Sequence, residues 1–239
     1  MLSLAVIVAA SVCGPAAAPT QSPVSPAAAA THSTTPTATA QSPGICGAVP
    51  GGTTARVLFS SDLTDRCPAI GNFDDADRAA THGPNGYLVR LKGGPGLELS
   101  AGPDRAQYVS TVPADVRVEF DADMAVGQGH VGISCRRLES GRTFTEYHLL
   151  IGTDGSYNIE GGPPYRPLAS GMETGVMRAG PNHIRGDCIG TTLTLYANGQ
   201  RIATAEDSQL SGRLNGIFLR SLDTGGASIT FRNLLITAP

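Results

Sequence analysis

Charged residues are absent from the first 55 of the 239 residues, since no Asp, Glu, Lys or Arg occurs before Arg56. The formal net charge of -3 therefore comes entirely from the rest of the chain. This slight acidic excess argues against a surface that binds nucleic acid or anionic lipid. Tryptophan is absent throughout, which weakens the case for a sugar site built on an aromatic platform. Tyr157 and Tyr165 are the remaining loop-side candidates for such a platform, although either could pack in the core or in a turn.

The N-terminus lacks the positive charge with which a secretory signal usually begins, because Met1-Leu2-Ser3 contains neither Lys nor Arg. The apolar run from Leu2 to Val12 still has the length of a signal-peptide core and is too short to cross a bilayer alone. Small residues at Ala16 to Ala18 offer a cleavage site. We therefore expect residues 1–18 to be a signal peptide or a membrane anchor, unless the reading frame begins further upstream.

Cys13 stands where a bacterial lipoprotein carries its lipidated cysteine, although Val12 replaces the small residue expected before it. Cys13 is therefore either lipidated or removed with the signal. Residues 19–45 consist mainly of Pro, Ala, Ser and Thr, which cannot bury enough apolar surface to fold. We expect them to form a disordered linker before a folded domain at 46–239, in a protein that is secreted or anchored outside the cell membrane.

Cysteine pairs with the spacing of zinc ligands are absent, which argues against a zinc site. The four cysteines after Cys13 are an even number in a chain with export features, and this favours disulfides. Three pairings are possible. We favour Cys46 with Cys67, which flank the segment entering the first strand, and Cys135 with Cys188, which both lie in apolar strand patterns.

Stretches with helical periodicity are also absent, and short alternating or apolar runs bounded by Gly, Pro, Asn and Asp predict β-strands instead. The clearest alternation runs from Val116 to Ala122, and the strongest hairpin signal is Asn198-Gly199. Other predicted strands lie at 56–60, 87–91, 97–100, 108–111, 130–137, 144–152, 157–159, 183–188, 193–196, 200–203, 217–220 and 228–232. So many short strands predict an all-β sandwich of two packed antiparallel sheets.

Several short phrases of the sequence together resemble the concanavalin A-like jelly rolls, including the laminin G-like and 3-keto-disaccharide hydrolase-like domains of exported actinobacterial proteins. The phrases are Val57–Leu63, Gly86–Val89, Gly132–Arg136, Tyr147–Ile151, Asp154–Tyr157, Asn182–Arg185, Cys188–Gly190 and Leu195–Gly199. The resemblance implies a jelly-roll sandwich that binds a glycan or a protein, sometimes through calcium, or cleaves glycosidic bonds. It specifies the fold and leaves the ligand open.

Three carboxylates on one strand are the candidates for glycosidase chemistry, which needs two carboxylates on one exposed face. Glu119, Asp121 and Asp123 share a face by the two-residue period of a strand. They depart from the laminarinase-type pattern Glu-x-Asp-x-x-Glu, because Met124 stands where the second Glu belongs. The alternative is an ordinary solvated strand face.

Five polar residues are the candidates for a ligand-binding groove. Alternation along three predicted strands places their side chains away from the core: Arg136, Glu146, His148, Arg185 and Asp187. If those strands were neighbours in one sheet, the side chains would form a polar groove suited to sugar hydroxyls. The alternative is a solvated sheet face with ion pairs of little energetic consequence.

One loop crowds together Asn72, Asp74, Asp75 and Asp77, whose oxygens could ligate calcium, although acidic loops are also common without it. We expect no other cofactor. The favoured function is an extracytoplasmic binding or sensory module for a glycan or cell-envelope component, contacting the membrane only through its N-terminal segment. The alternatives are a sugar-processing hydrolase and a structural ectodomain of a larger receptor, and the oligomeric state stays open.

Overall fold

The computed structural model describes residues 55–67, 70–103, 112–126, 129–141 and 143–239. Cys13, Cys46, the predicted linker and the predicted strand at 108–111 lie outside these ranges. The described residues form strands and no helix, so none of them belongs to a helix able to span a membrane. The strands are β1 Arg56–Ser61, β2 Phe73–Asp74, β3 Arg78–Gly83, β4 Gly86–Leu91, β5 Glu98–Ala101, β6 Val116–Val126, β7 Gly129–Ser140, β8 Thr143–Gly152, β9 Ser156–Gly162, β10 Arg166–Met172, β11 Pro181–Ile189, β12 Thr192–Ala197, β13 Gln200–Glu206, β14 Leu214–Ser221 and β15 Ala227–Ala238.

Nine strands form one antiparallel sheet, in the order β13-β12-β11-β6-β15-β4-β3-β2 with β1 also paired to β15. The long strand β15 is shared: β6 runs along one side, while β4 and β1 pair with successive parts of the other side. The β12–β13 hairpin turns at Asn198 and Gly199, which have φ values of 51° and 82°. The hairpin predicted from Asn198-Gly199 is therefore confirmed.

The other six strands form a second antiparallel sheet in the order β10-β9-β8-β7-β14-β5. The two sheets enclose one hydrophobic core between them. On β6, Val116, Val118 and Phe120 are fully buried in this core, whereas Glu119 and Asp121 on the other side are partly exposed. The predicted alternation and the predicted two-sheet antiparallel sandwich are both confirmed.

A disulfide crosses the core between the sheets. It joins Cys135 of β7 to Cys188 of β11, with the Cα atoms 6.8 Å apart, as the sequence predicted. Next to it the sheets approach closely, since a Cβ added at Gly186 would lie 3.2 Å from the side chain of Ile133. Cys67 is also disulfide-bonded. Its predicted partner, Cys46, lies outside the described residues.

Candidate functional site

The outer face of the six-stranded sheet, meaning the face turned away from the core, carries polar side chains that are buried. On β8, Tyr147 and Leu149 point into the core, so the alternate residues Glu146 and His148 point to the outer face. Both of these side chains are nevertheless 0% exposed. Buried charged groups require partners, so the contacts of Glu146 and His148 determine the charge and the hydrogen-bonding capacity of this face.

His148 lies between two carboxylates. Its Nε2 atom is 2.9 Å from Oε1 of Glu146 on the same strand, and its Nδ1 atom is 3.1 Å from Oε1 of Glu160 on β9. The ring of Phe218 packs beside the imidazole at a centroid distance of 3.8 Å, and the ring of Tyr165 lies 5.0 Å away. The imidazole is therefore enclosed by acidic groups and aromatic rings.

The two carboxylates determine the charge of this imidazole. Burial acts to lower the pKa of His148, but the contacts with Glu146 and Glu160 outweigh it and raise the pKa above its usual value. Burial likewise acts to raise the pKa of both carboxyls, but His148 and other donors hold the pKa of Glu146 below its usual range and lower that of Glu160 to about 2. Below about pH 6.5, His148 is therefore an imidazolium between two carboxylates.

The network extends across the sheet to β14 and β5. Arg220 of β14 forms ion pairs with Glu160 and with Glu98, the latter at 2.6 Å between Nε and Oε1. The Tyr165 hydroxyl donates a 2.7 Å hydrogen bond to the other oxygen of Glu98. The guanidinium of Arg137 lies 4.0 Å from Glu146. Glu98, Glu146 and Glu160 therefore face three cationic groups when His148 is protonated, and Glu139 beside Arg137 adds a fourth, exposed carboxylate.

A cavity of about 280 Å³ opens where β5, β7 and β14 meet. Its polar wall includes Ser100, Ser134, Arg137 and Glu139, and its apolar wall includes Phe73. Ser100 and Ser134 both donate hydrogen bonds to Oε2 of Glu146. The cavity is thus one point at which the buried network reaches the surface, and it combines polar groups with an apolar wall as ligand sites do.

Arg137 is held in place at this cavity. Its Nε atom lies 3.1 Å from Oε1 of Glu139, and its guanidinium carbon lies 4.4 Å from the centre of the Phe144 ring. The side chain is 20% exposed. A guanidinium fixed by a carboxylate and an aromatic face, with part of its surface accessible, is a pre-organised donor for a ligand oxygen.

The structure does not bring Arg136 to this site. The pairing register of β7 shifts between Cys135 and Leu138, and Arg136 adopts a positive φ of 52°. Its side chain turns instead toward the end of the nine-stranded sheet, where it contacts Asp115 at 3.0 Å and the carbonyl of Gly190. The predicted position of Arg136 in the groove is wrong, because a β-bulge interrupts the alternation on which it was based.

Arg185 and Asp187 are also separated from Glu146 and His148. They lie on β11, between β6 and β12 in the nine-stranded sheet, and face the opposite side of the sandwich. There Asp187 forms ion pairs with Arg185 at 2.7 Å and with Arg117 at 2.9 Å. The predicted single groove of five residues is therefore not formed, because alternation identifies a face of a strand but not the sheet to which the strand belongs.

The three candidate catalytic carboxylates do share the outer face of the nine-stranded sheet. His183 of β11 lies between two of them, with Nδ1 2.9 Å from Asp121 and Nε2 3.5 Å from Glu119. The carboxylate of Asp123 lies 3.6 Å from Arg232. Each carboxylate thus has a cationic or imidazole neighbour, and a catalytic role for them stays a prediction.

The acidic loop predicted to bind calcium is held by cations of the chain itself. Asp75 accepts backbone hydrogen bonds from Asp77 and Arg78 and pairs with the Arg78 guanidinium at 2.9 Å, while Asp74 pairs with Lys92. Asn72 accepts a hydrogen bond from the backbone of His82. Among the described residues, no group of three or more His, Cys, Asp or Glu side chains is placed to hold a metal ion.

Of the two tyrosines considered as sugar platforms, only Tyr165 lies on the outer face of the six-stranded sheet, where it is 36% exposed. Tyr157 packs against the core. Five residues of this network and cavity were not among the predicted site residues: Glu98, Ser134, Arg137, Glu160 and Arg220. Alternation on the predicted strands carried a signal for three of them: Glu98, Ser134 and Arg220 each lie next to a core-facing residue, namely Leu99, Ile133 and Leu219.

The buried network predicts a characteristic dependence of stability on pH. The folded-state pKa of His148 is raised above the unfolded-state value of about 6.5. The stability gained from its imidazolium is therefore complete below about pH 6.5 and is lost as the pH rises through the folded-state pKa. Because the pKa of Glu160 is lowered to about 2, its contribution is present above about 4.5 and is lost as the pH falls toward about 2.

We therefore expect the free energy of unfolding to be highest between about pH 4.5 and 6.5 and to decline on both sides. Urea unfolding at a series of pH values measures this directly. In a His148→Gln variant the decline on the alkaline side should be reduced. A stability that stays constant from pH 6.5 to 9 in the unaltered protein would contradict the assignment of an imidazolium.

Comparison with known proteins gives the fold but no family. No family model matches the chain, and no curated protein matches its sequence. Among solved structures, the carbohydrate-binding module CBM66 from Bacillus subtilis is 15% identical, with a TM-score of 0.51 over 69% of this chain and 94% of that module. A Bacillus subtilis protein of unknown function with a galectin-like fold is 10% identical, with a TM-score of 0.48 over 76% of this chain and 96% of that protein.

The likeness to the CBM66 module shows that the sandwich is a jelly roll. It agrees with the concanavalin A-like fold that the sequence phrases imply, whereas the narrower resemblance to exported actinobacterial proteins stays a prediction. At 15% identity the likeness carries no ligand and no site residue over to this chain.

Proposed function

We propose that this protein is an extracytoplasmic module that binds a glycan of the cell envelope or its surroundings, through the cavity between β5, β7 and β14. The single observation that carries the proposal is the composition of that cavity. Arg137 supplies fixed donors, while Ser100 and Glu139 supply accessible oxygens beside the apolar ring of Phe73. Sugars present hydroxyl groups around the edge of a ring and C–H groups on its faces, and this cavity can contact both.

Two further observations support the proposal. The solved structure with a related fold, CBM66, is named as a carbohydrate-binding module. The Cys135–Cys188 disulfide supports the extracytoplasmic setting, because structural disulfides persist mainly in oxidising compartments. The predicted leader at 1–18 and the predicted linker at 19–45 fit the same setting.

Substitution of Arg137 tests the cavity as the binding site. A glycan array that includes polysaccharides and peptidoglycan fragments first identifies a bound glycan, and isothermal titration calorimetry then measures its affinity. We expect Arg137→Ala to weaken that affinity by about tenfold or more, since a charge-assisted hydrogen bond is lost. Arg137→Lys should recover only part of the affinity, because it keeps the charge but not the planar donor pair.

The matched control is Arg201→Ala, which removes an exposed arginine from β13 at the edge of the other sheet. This variant should bind as the unaltered protein does. Circular dichroism of each variant establishes that the sandwich is intact. Equal binding by folded Arg137→Ala and Arg201→Ala proteins would exclude the cavity as the site, and no binding to any glycan would reject the proposed function.

A further inference from the structure

We infer that the cavity between β5, β7 and β14 takes a single neutral sugar ring and discriminates against sugars that carry a carboxylate or a sulfate. This inference rests on the proposed function and specifies its ligand class. It follows from three properties of the cavity wall: the direction of its hydrogen bonds, its charge and its volume.

The two serine hydroxyls of the cavity already donate their protons in hydrogen bonds within the protein. A hydroxyl has one proton to donate and two lone pairs that accept. Ser100 donates to Oε2 of Glu146 at 2.9 Å, and Ser134 donates to the same oxygen. Both oxygens can therefore act toward a ligand only as acceptors, and Ser100 is the more accessible of the two, since Ser134 is only 1% exposed. A ligand hydroxyl can donate to them, whereas a carboxylate or sulfate has no proton to offer.

Glu146 fixes this arrangement from behind the cavity. Although burial favours the protonated form, the contacts with His148, Ser134 and Arg137 keep Glu146 ionised, so it has no proton of its own and the two serines are the donors. Its second oxygen lies 2.9 Å from Nε2 of His148, and this ion-pair contact helps to keep the carboxylate ionised. Glu146 is therefore a positioning residue, since it sets the hydrogen-bond direction of Ser100 and Ser134 without being a wall of the cavity.

The charge of the cavity gives the same preference. Arg137 is the one cationic side chain among the described residues of its wall, and it already faces two carboxylates, Glu139 at 3.1 Å and Glu146 at 4.0 Å. An anionic sugar that approached Arg137 would bring a further negative charge close to both. Like charges that are placed together and desolvated at a binding site repel each other strongly. Hydroxyl groups, in contrast, can donate to Glu139 and accept from Arg137 at once.

The volume limits how much of a glycan enters. About 280 Å³ lies just below the range of roughly 300–1,000 Å³ that is typical of pockets for drug-sized ligands. One sugar ring fits this space, but an oligosaccharide does not. The rest of a glycan chain would therefore stay outside the cavity.

Matched pairs of polysaccharides test the inference. The probes are a soluble glucan with its C6-carboxyl form, and a galactan with polygalacturonate, each titrated by calorimetry against the full chain. We expect a neutral member to bind at least about tenfold more tightly than its uronate partner. A uronate that binds as tightly as its neutral partner, or more tightly, would overturn the inference and leave the proposed function standing. No binding by these or any other glycan would reject both.

Glu139→Gln identifies the cause of the preference. Glu139 is exposed, so the isosteric amide is compatible with folding, and it removes one of the two charges beside Arg137. We expect the preference for the neutral member to fall roughly threefold or more. Glu206→Gln, at an exposed position on β13 of the other sheet, is the matched control and should keep the full preference. An unchanged preference in folded Glu139→Gln protein would overturn the electrostatic basis of the inference.

Discussion

Replacing Cys135 and Cys188 together with alanine should lower the free energy of unfolding by about 4 kcal/mol. The two cysteines are 53 residues apart, so their bond closes a long loop and removes many conformations from the unfolded chain. It also joins β7 to β11, which belong to different sheets, so a reduced chain would have to bring the two sheets together by packing alone. Both side chains are fully buried, but each alanine removes only one sulfur atom and leaves a small void.

Urea unfolding followed by circular dichroism measures this loss, because the chain has no Trp for fluorescence. Adding a reductant to the unaltered protein should cause at least as large a loss. In the double variant, the reductant should act only through the remaining disulfide of Cys67. A double variant that unfolds at the same urea concentration as the unaltered protein, with the same slope, would show that the inter-sheet bond contributes nothing to stability.

The architecture could be predicted from the sequence because its signals are local. The alternation of β6 requires only that one face of a strand be apolar, and Val116, Val118 and Phe120 satisfy this. The turn at Asn198 and Gly199 requires only two residues that tolerate positive φ. The Cys135–Cys188 bond could be predicted for a related reason, since both cysteines occupy core-facing positions of strands.

The arrangement of polar residues could not be predicted in the same way, because it depends on the order of strands. Glu146 and Arg185 both point away from the core, yet they lie on opposite outer faces of the sandwich. Alternation is the same for a strand in either sheet, so it could not separate them. The predicted position of Arg136 was wrong for a different reason. The β-bulge that turns its side chain away has no sequence signal comparable to a glycine.

The buried network was missed for a third reason, which is the distance along the chain between its partners. Arg220 pairs with Glu98 and Glu160, which are 122 and 60 residues away in sequence. Charged residues on a strand face are usually solvated, so the sequence offers no reason to expect that these would be buried. Their burial depends on the neighbouring strands and on Tyr165, whose ring lies against His148 and Arg220.

Each outer face of the sandwich carries a histidine that lies between two carboxylates. Comparing the two histidines tests how burial changes the strength of this interaction. His148 and His183 each lie between two carboxylates at hydrogen-bonding or ion-pairing distance. The His148 side chain is 0% exposed, whereas that of His183 is 47% exposed. Water can solvate the carboxylates beside His183 when the imidazole is removed, but it cannot readily solvate those beside His148.

His148→Ala should therefore lower the free energy of unfolding by about 3–5 kcal/mol at pH 6, because Glu146 and Glu160 lose the cation between them while still buried. His183→Ala should cost less than about 1 kcal/mol, since its carboxylates are partly exposed. Urea unfolding of both variants under one condition makes the comparison. Equal losses would show that burial does not set the strength of the interaction. A large loss for His148 alone would show that burial makes this interaction strong.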